Sequence, residues 1–219
     1  SEPAGVITYR QWLLRISRQL VAAQPSMGIL LLGTALRALT QQSLGNYVPK
    51  QLDDLGVPTA TYGLVMSLFL FGNAIGGVIG SYLADRVGLL RVLIGSLILA
   101  GVALYGYLNL EGVPAYASLV CTGLFIGPSH TLFMVAGQRQ FPQRMAMVSG
   151  VFLGFVFISG GIGAWLLGLA ADRIGLGAAL SVLPWSLWAG AICALVAVPR
   201  GVARQAPQRS ESVAAESSG

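Results

Sequence analysis

Charged side chains are scarce in this sequence. Only 10% of its 219 residues are Asp, Glu, Lys or Arg, whereas a soluble domain has about 25%. Hydrophobic residues make up 55% of the chain, and the mean hydropathy is +0.73. These values exclude an ordinary soluble domain and predict a protein whose solvent is the lipid bilayer.

Side chains that carry enzymatic chemistry are also few. The chain has one histidine, His130, and two cysteines, Cys121 and Cys193. It has no phosphate-binding glycine loop with a lysine, no paired carboxylates, no Cys/His metal spacing and no nucleophile elbow. We therefore predict that the chain is not an enzyme and uses no cofactor or metal. Both cysteines are interpreted as free thiols packed as small apolar residues, with a disulfide between them as the alternative.

Six apolar segments are long enough to cross a bilayer, which takes about 20 residues. They lie at roughly residues 27–48, 60–83, 89–109, 114–137, 146–170 and 177–198. Together they predict a six-helix transmembrane domain over residues 26–199. The fold class expected from them is all-α and integral to the membrane.

The sequence on either side of these segments has a different pattern. In residues 1–25, aromatic and aliphatic residues share one helical face and arginines lie off it, which is typical of a helix in the membrane interface. We interpret this leader as an anchoring linker, with a regulatory element as the alternative. No small-residue cleavage site follows the leader, which argues against a cleaved signal peptide. Because the chain begins at Ser1 and not at a methionine, we expect its start to be a cut. Residues 200–219 are polar and aperiodic, which predicts a disordered tail.

The basic residues indicate an orientation. Ten of the 13 Lys and Arg residues lie in the leader, the second-to-third connection, the fourth-to-fifth connection and the tail, whereas the opposite connections hold only Lys50 and Arg173. Because basic residues are retained on the cytoplasmic side, both termini are predicted to be cytoplasmic. These basic residues on the cytoplasmic side account for the net charge of +5, which therefore calls for no nucleic-acid partner.

One hexapeptide occurs twice. Residues 84–89, Ala-Asp-Arg-Val-Gly-Leu, return as Ala-Asp-Arg-Ile-Gly-Leu at residues 171–176, and the match extends back to residues 71 and 158. The first copy follows span two and the second follows span five, so an odd number of spans separates them. The copies should therefore lie on opposite membrane faces, which predicts a three-plus-three inverted repeat of the kind found in secondary transporters.

These features resemble the C-terminal half of a major facilitator superfamily transporter. The resemblance rests on the Asp-Arg-x-Gly turn after span two, the six spans with cytoplasmic ends and the basic amphipathic leader. In finer detail, residues 138–176 are similar to the fosmidomycin-resistance group of drug exporters, through Gln140-Phe141-Pro142, Ser149-Gly150 and residues 160–163. The resemblance implies alternating access, drug export by proton antiport and a bacterial inner membrane. It also implies a partner, either a missing N-terminal half or a second copy.

The resemblance also implies a cytoplasmic gate. In the family, the aspartate of this turn contacts a helix N-terminus and an arginine of the neighbouring half, so Asp85, Arg86, Gly88 and Arg91 are gating candidates. This chain departs from the pattern, since Ser81 replaces a glycine and leucines replace two basic residues. The alternative is that the turn only ends a span.

Two glycine ladders predict close helix contacts. Span two carries Gly72, Gly76 and Gly80, and span five carries Gly160, Ala164 and Gly168 at the same spacing. Small residues at every fourth position let helix backbones approach each other. In the family these spans pack against the other half, which would make the ladders sliding surfaces. Static packing within this half is an equal alternative.

A charge inside the membrane is the main functional signal. Arg37 lies near the middle of span one, where an ionised side chain costs about 2.5–3.5 kcal/mol. Thr34 and Gln41 share its helical face, whereas every acid lies at a span end or outside the spans. The partner of Arg37 is then a small anionic substrate or an acid of a missing half, and a guanidinium suits phosphate or carboxylate. The alternative is an arginine that is satisfied by carbonyls or snorkels to the interface.

Two further polar residues are candidates for the same substrate site. His130 lies on span four beside Pro128, which loosens the helix, and it is able to bind substrate or take up a proton near neutral pH. A hydrogen-bonded structural histidine is the alternative. Asn73 on span two is a weaker candidate of the same kind.

The sequence leaves three functions open. The first is drug or small-molecule export by alternating access and proton antiport, as the resemblance implies. The second is uptake or exchange of an organic anion, which Arg37 would serve equally well. The third is a membrane subunit that does not transport and only scaffolds a partner.

Overall fold

The computed structural model describes residues 25–197, and all of its regular elements within that range are helices. The leader through residue 24 and the tail from residue 200 lie outside the described residues. The helices are α1 (Pro25–Asp54), α2 (Thr59–Val87), α3 (Leu89–Asn109), α4 (Val113–Gln140), α5 (Met145–Ile174), α6 (Leu176–Leu180) and α7 (Leu183–Ala197). A short 3₁₀ turn, Pro142–Arg144, precedes α5.

Each predicted span coincides with a helix, except that the sixth is divided into α6 and α7 by a turn at residues 181–182. The helices α2, α3, α4, α5 and the pair α6–α7 are long and apolar enough to cross a membrane. At 30 residues α1 is also long enough, but Arg37, Gln41 and Gln42 make it less apolar. The all-α membrane class is therefore confirmed.

The helix packing shows the inverted repeat directly. Helix α4 packs against α2 and α3, and α1 packs in the same way against α5 and α7. If spans one to three are exchanged for spans four to six, the contacts of α4 with α2 and α3 become the contacts of α1 with α5 and α7. The remaining large contact, between α3 and α7, maps onto itself. The predicted three-plus-three arrangement is confirmed.

The repeated hexapeptide forms the same turn at both of its positions. Gly88 ends α2 with φ 108° and ψ 137°, and Gly175 ends α5 with φ 86° and ψ 152°. Each glycine N–H donates to the carbonyl four residues earlier, at 3.0 Å for Ala84 and 2.9 Å for Ala171. Because side chains disfavour this backbone region, a glycine is required where one helix must end and the next begin at the following residue.

The most exposed spans are α2 and α5. Their uncovered faces are apolar, with Val78 73% exposed on α2 and Phe157 69% exposed on α5. The fully buried side chains concentrate instead on α1, α3, α4 and α7, where Leu30, Leu97 and Phe133 have no exposed surface. The two spans therefore offer broad apolar faces to lipid or to another protein.

Candidate functional site

The glycines of α2 lie in a close crossing with α4. A Cβ at Gly76 would overlap the carbonyl group of Leu124, and one at Gly80 would overlap the ring of Pro128. At Gly72 the nearest atom would be the Val120 carbonyl oxygen, at 3.1 Å. This ladder therefore packs inside the half, as in the static alternative.

Helix α4 contributes small residues of its own to this crossing. A Cβ at Gly123 would overlap the Phe69 carbonyl oxygen, and one at Gly127 would overlap the Asn73 carbonyl oxygen. These two glycines were not predicted from the sequence, although they show the four-residue spacing that marks the ladder of α2. Pro128 also matters here, since its missing N–H leaves the carbonyl of residue 124 without its helical donor at the point where Gly76 approaches it.

The second ladder occupies the equivalent crossing between α5 and α1. Gly160 packs on the Ala38 carbonyl, and a Cβ at Gly168 would overlap the hydroxyl of Tyr47. That hydroxyl donates a hydrogen bond of 2.9 Å to the carbonyl of Ala164. Corresponding helices in the two repeats thus use small residues for the same purpose.

These close crossings leave an open recess of about 650 Å³ between α1, α2 and α4. It contains four of the five residues predicted to bind substrate. Its lining consists of Arg37, Gln41, Asn73, Ala74, Gly77, Val78, Ser81, Gly127, His130 and Thr131.

Hydrogen bonds join four side chains of the recess, Arg37, Gln41, Asn73 and His130, and the neighbouring Ser129 into one network. The guanidinium donates from Nε to Ser129 Oγ at 3.1 Å and from one terminal nitrogen to Gln41 Oε1 at 3.2 Å. Its other terminal nitrogen lies 3.5 Å from His130 Nδ1. Asn73 Nδ2 donates to the same Gln41 oxygen at 2.9 Å. Of the three partners of Arg37, Ser129 and Gln41 are uncharged and His130 is titratable, and the more distant Asn73 is uncharged as well.

Arg37 is therefore a buried charge held by neutral groups. It is 4% exposed. Within residues 25–197 the only ion pair joins Lys50 to Asp54 at 3.2 Å, at the exposed end of α1. A guanidinium has five N–H groups, and three are engaged here, so two remain for an acceptor that enters the recess. Such an arrangement is suited to bidentate binding of a carboxylate or phosphate group.

The structure departs from the sequence prediction at Ser129 and at Thr34. Ser129 was not chosen as a site residue, yet it binds Arg37 and also donates to the Ile126 carbonyl at 2.5 Å. Its position next to His130 was the available signal. Thr34 was chosen but does not line the recess, because its buried hydroxyl donates to the Leu30 carbonyl at 2.9 Å.

The gating candidates lie at the turn between α2 and α3. Asp85 and Arg86 are exposed, and the Arg86 guanidinium stacks 4.6 Å above the Tyr82 ring. Arg91 makes a weak hydrogen bond of 3.4 Å to the Val87 carbonyl. Among the residues described, Asp85 forms no ion pair. The turn at Gly88 thus carries an exposed acid, and its two arginines contact the Tyr82 ring and the Val87 carbonyl.

Comparison with known proteins agrees with this architecture. Residues 30–217 match the family described as Major Facilitator Superfamily. The chain is 35% identical over 129 residues to the Fosmidomycin resistance protein of Escherichia coli (strain K12), a stretch that covers 56% of this chain and 30% of that protein. It is 38% identical over 110 residues to an uncharacterized MFS-type transporter of Bacillus subtilis (strain 168), covering 50% of this chain and 27% of the relative.

The family match extends over most of the chain, and it includes all the spans from α2 to α7 and most of α1. Proteins of this family are membrane transporters and not enzymes, in agreement with the sequence prediction. The matched stretches amount to less than a third of the length of either relative. The chain belongs to the Major Facilitator Superfamily and is a multi-pass membrane protein.

Proposed function

We propose that this chain is one six-helix half of a secondary transporter that exports small molecules by alternating access in exchange for protons. The observation that carries the proposal is the open recess with Arg37 held only by neutral side chains. Family membership supports transport. The likeness to a Fosmidomycin resistance protein supports drug export.

Arg37 is the substrate-binding residue in this proposal. A buried guanidinium is costly in a membrane, and it is retained where it faces a cavity and performs a function. Its two unused N–H groups fit one carboxylate or phosphate group of the cargo. Gln41, Asn73 and His130 surround that position and supply further polar contacts.

The exposed apolar surfaces indicate how this half would be completed in the membrane. The apolar faces of α2 and α5 would be covered by a second six-helix domain, either an N-terminal half or a second copy of this one. Both termini would be cytoplasmic, in a bacterial inner membrane, with the leader (residues 1–25) in the interface and the tail (residues 200–219) in the cytoplasm. Asp85 would close the cytoplasmic side by pairing with the second domain.

Fosmidomycin export from a sensitive bacterium tests the proposal. The full-length protein is expressed in a host that lacks its own resistance protein, and survival and cellular drug content are measured. Arg37→Gln keeps a long polar side chain but removes the charge, so it should abolish resistance at normal membrane levels. Lys50→Gln is the matched control, because it removes an exposed charge on the same helix outside the recess, and it should keep resistance. Full resistance in Arg37→Gln would contradict the assignment.

Uptake or exchange of an organic anion is the second candidate, and the neutral surroundings of Arg37 favour it. Everted and right-side-out membrane vesicles distinguish the two directions, since an exporter accumulates cargo in everted vesicles. A scaffold subunit would transport in neither preparation.

A further inference from the structure

The tautomer of His130 follows from its neighbour. An arginine N–H is able only to donate, so the 3.5 Å contact between the Arg37 guanidinium and His130 Nδ1 requires that nitrogen to accept. The imidazole is then neutral and carries its proton on Nε2, which leaves Nδ1 as the partner of the guanidinium. Because His130 also lines the recess, a change in its charge would change the electrostatic potential where the proposed anion binds.

Few charges face the imidazole. Helix α1 contributes Arg37 and the neutral Gln41, and α2 contributes the neutral Asn73 and Ser81. On its own helix the neighbouring polar group is Thr131. No carboxylate belongs to the lining of the recess, as far as residues 25–197 form it. A proton on His130 would thus place a second positive charge beside the guanidinium.

We infer that a proton on His130 strengthens the binding of an anion at Arg37. A doubly protonated imidazole cannot accept a hydrogen bond, so the Arg37 N–H that pointed at Nδ1 is released for the ligand. The new N–H of the imidazole becomes a further donor. An anion between the two cations relieves their repulsion, so that proton and anion stabilise each other. The inference rests on the proposed anion site.

This linkage has a direction that matters for transport. Exchange of cargo for a proton requires that the two displace each other, whereas co-transport requires that they bind together. His130 is therefore a residue for co-binding and is not the group at which proton and cargo compete. It would assist an anion importer that is driven by an acidic exterior. In a proton-driven exporter, the exchanged proton must be carried by another group.

Anion affinity measured against pH tests the inference. The probe is benzenesulfonate, whose charge is constant over the histidine titration range, added to the full-length protein in phospholipid nanodiscs and followed by calorimetry. Lowering the pH from about 8 to about 5.5 crosses that range and should tighten binding by about 5- to 150-fold. His130→Asn keeps an acceptor near Nδ1 but cannot be protonated, so its affinity should be independent of pH. Arg37→Gln should bind the probe at neither pH.

Proton uptake provides a second measurement that needs no variant. Linkage is reciprocal, so adding benzenesulfonate to the unmodified protein in weak buffer near pH 6.5, the usual histidine pKa, should draw protons from solution. Proton release, or a pH-independent affinity, would overturn the inference while leaving the anion site intact. The same holds if His130→Asn retains the pH dependence. If the unmodified protein binds no probe at any pH, or Arg37→Gln binds it equally well, the anion site itself is refuted.

Discussion

Replacing Gly76 with alanine tests the closest helix crossing in the fold. The added Cβ would overlap the backbone carbonyl of Leu124, which cannot move aside as a flexible side chain would. Either α2 and α4 separate or one of them bends. Gly63 provides the matched control, because it lies on the same helix with nothing within 4 Å of its would-be Cβ.

The expected magnitude combines two opposing effects. Alanine gains up to about 1 kcal/mol over glycine within a helix. Overpacking typically costs about 1–3 kcal/mol, and a separation of roughly 1 Å would forfeit a quarter to a half of the dispersion energy of each contact across the crossing. Because a rigid backbone group is struck, we expect the loss to dominate in Gly76→Ala. Gly63→Ala keeps only the gain and should be neutral or stabilising.

Thermal unfolding of the purified full-length protein in detergent measures these effects. The order of stability should be Gly63→Ala highest, then Gly72→Ala, then Gly76→Ala. The intermediate position of Gly72 follows from its nearest contact of 3.1 Å, which a small shift relieves. Equal midpoints for Gly76→Ala and Gly63→Ala would show that the crossing is looser than described. The shape of the recess between α1, α2 and α4, which depends on that crossing, would then be refuted as well.

Three further substitutions have definite outcomes. Tyr47→Phe removes the 2.9 Å hydrogen bond to the Ala164 carbonyl and should cost about 0.6 kcal/mol in the same unfolding assay; an unchanged midpoint would argue against that bond. Asn73→Leu removes a donor to Gln41 and should weaken benzenesulfonate binding by about 2- to 10-fold, the equivalent of one neutral hydrogen bond; unaltered affinity would place Asn73 outside the site. Asp85→Asn should loosen cytoplasmic closure, so that cysteines introduced into the recess react faster with a thiol reagent added from the cytoplasm. Unaltered reactivity would refute Asp85 as a latch.

The fold was predictable because lipid imposes a simple rule on the sequence. Backbone groups in a bilayer must be satisfied within helices, so long apolar segments mark the helices. The predicted boundaries were least accurate for α1, which continues from residue 48 to Asp54. There the Lys50–Asp54 pair stabilises an exposed helical turn that hydropathy does not detect. The break between α6 and α7 at residues 181–182 was also missed, since apolar content continues across it.

The candidate site was less predictable because it depends on how the side chains of different helices are oriented toward one another. Arg37 and Gln41 were found from one helix face, and the structure places both in the recess. Thr34 satisfies the same spacing, but its hydroxyl bonds to its own helix and it does not line the recess. Ser129 was missed because its place next to His130 does not show which way its side chain points, and its partner Arg37 lies 3.1 Å away on another helix.

Comparing the two repeats explains this difference. At the offset that relates residues 84 and 171, Gly76 corresponds to Gly163 and Gly88 to Gly175, and these positions make helix contacts or turns in both halves. Asn73, which lines the recess, corresponds instead to Gly160, which packs against α1. The agreement covers only part of the framework, since the packing glycines Gly72 and Gly80 correspond to Ser159 and Leu167, and the recess position differs from its counterpart as well. The internal repeat therefore identifies the turn and one point of each helix crossing, and the site within one copy must be located from the three-dimensional arrangement.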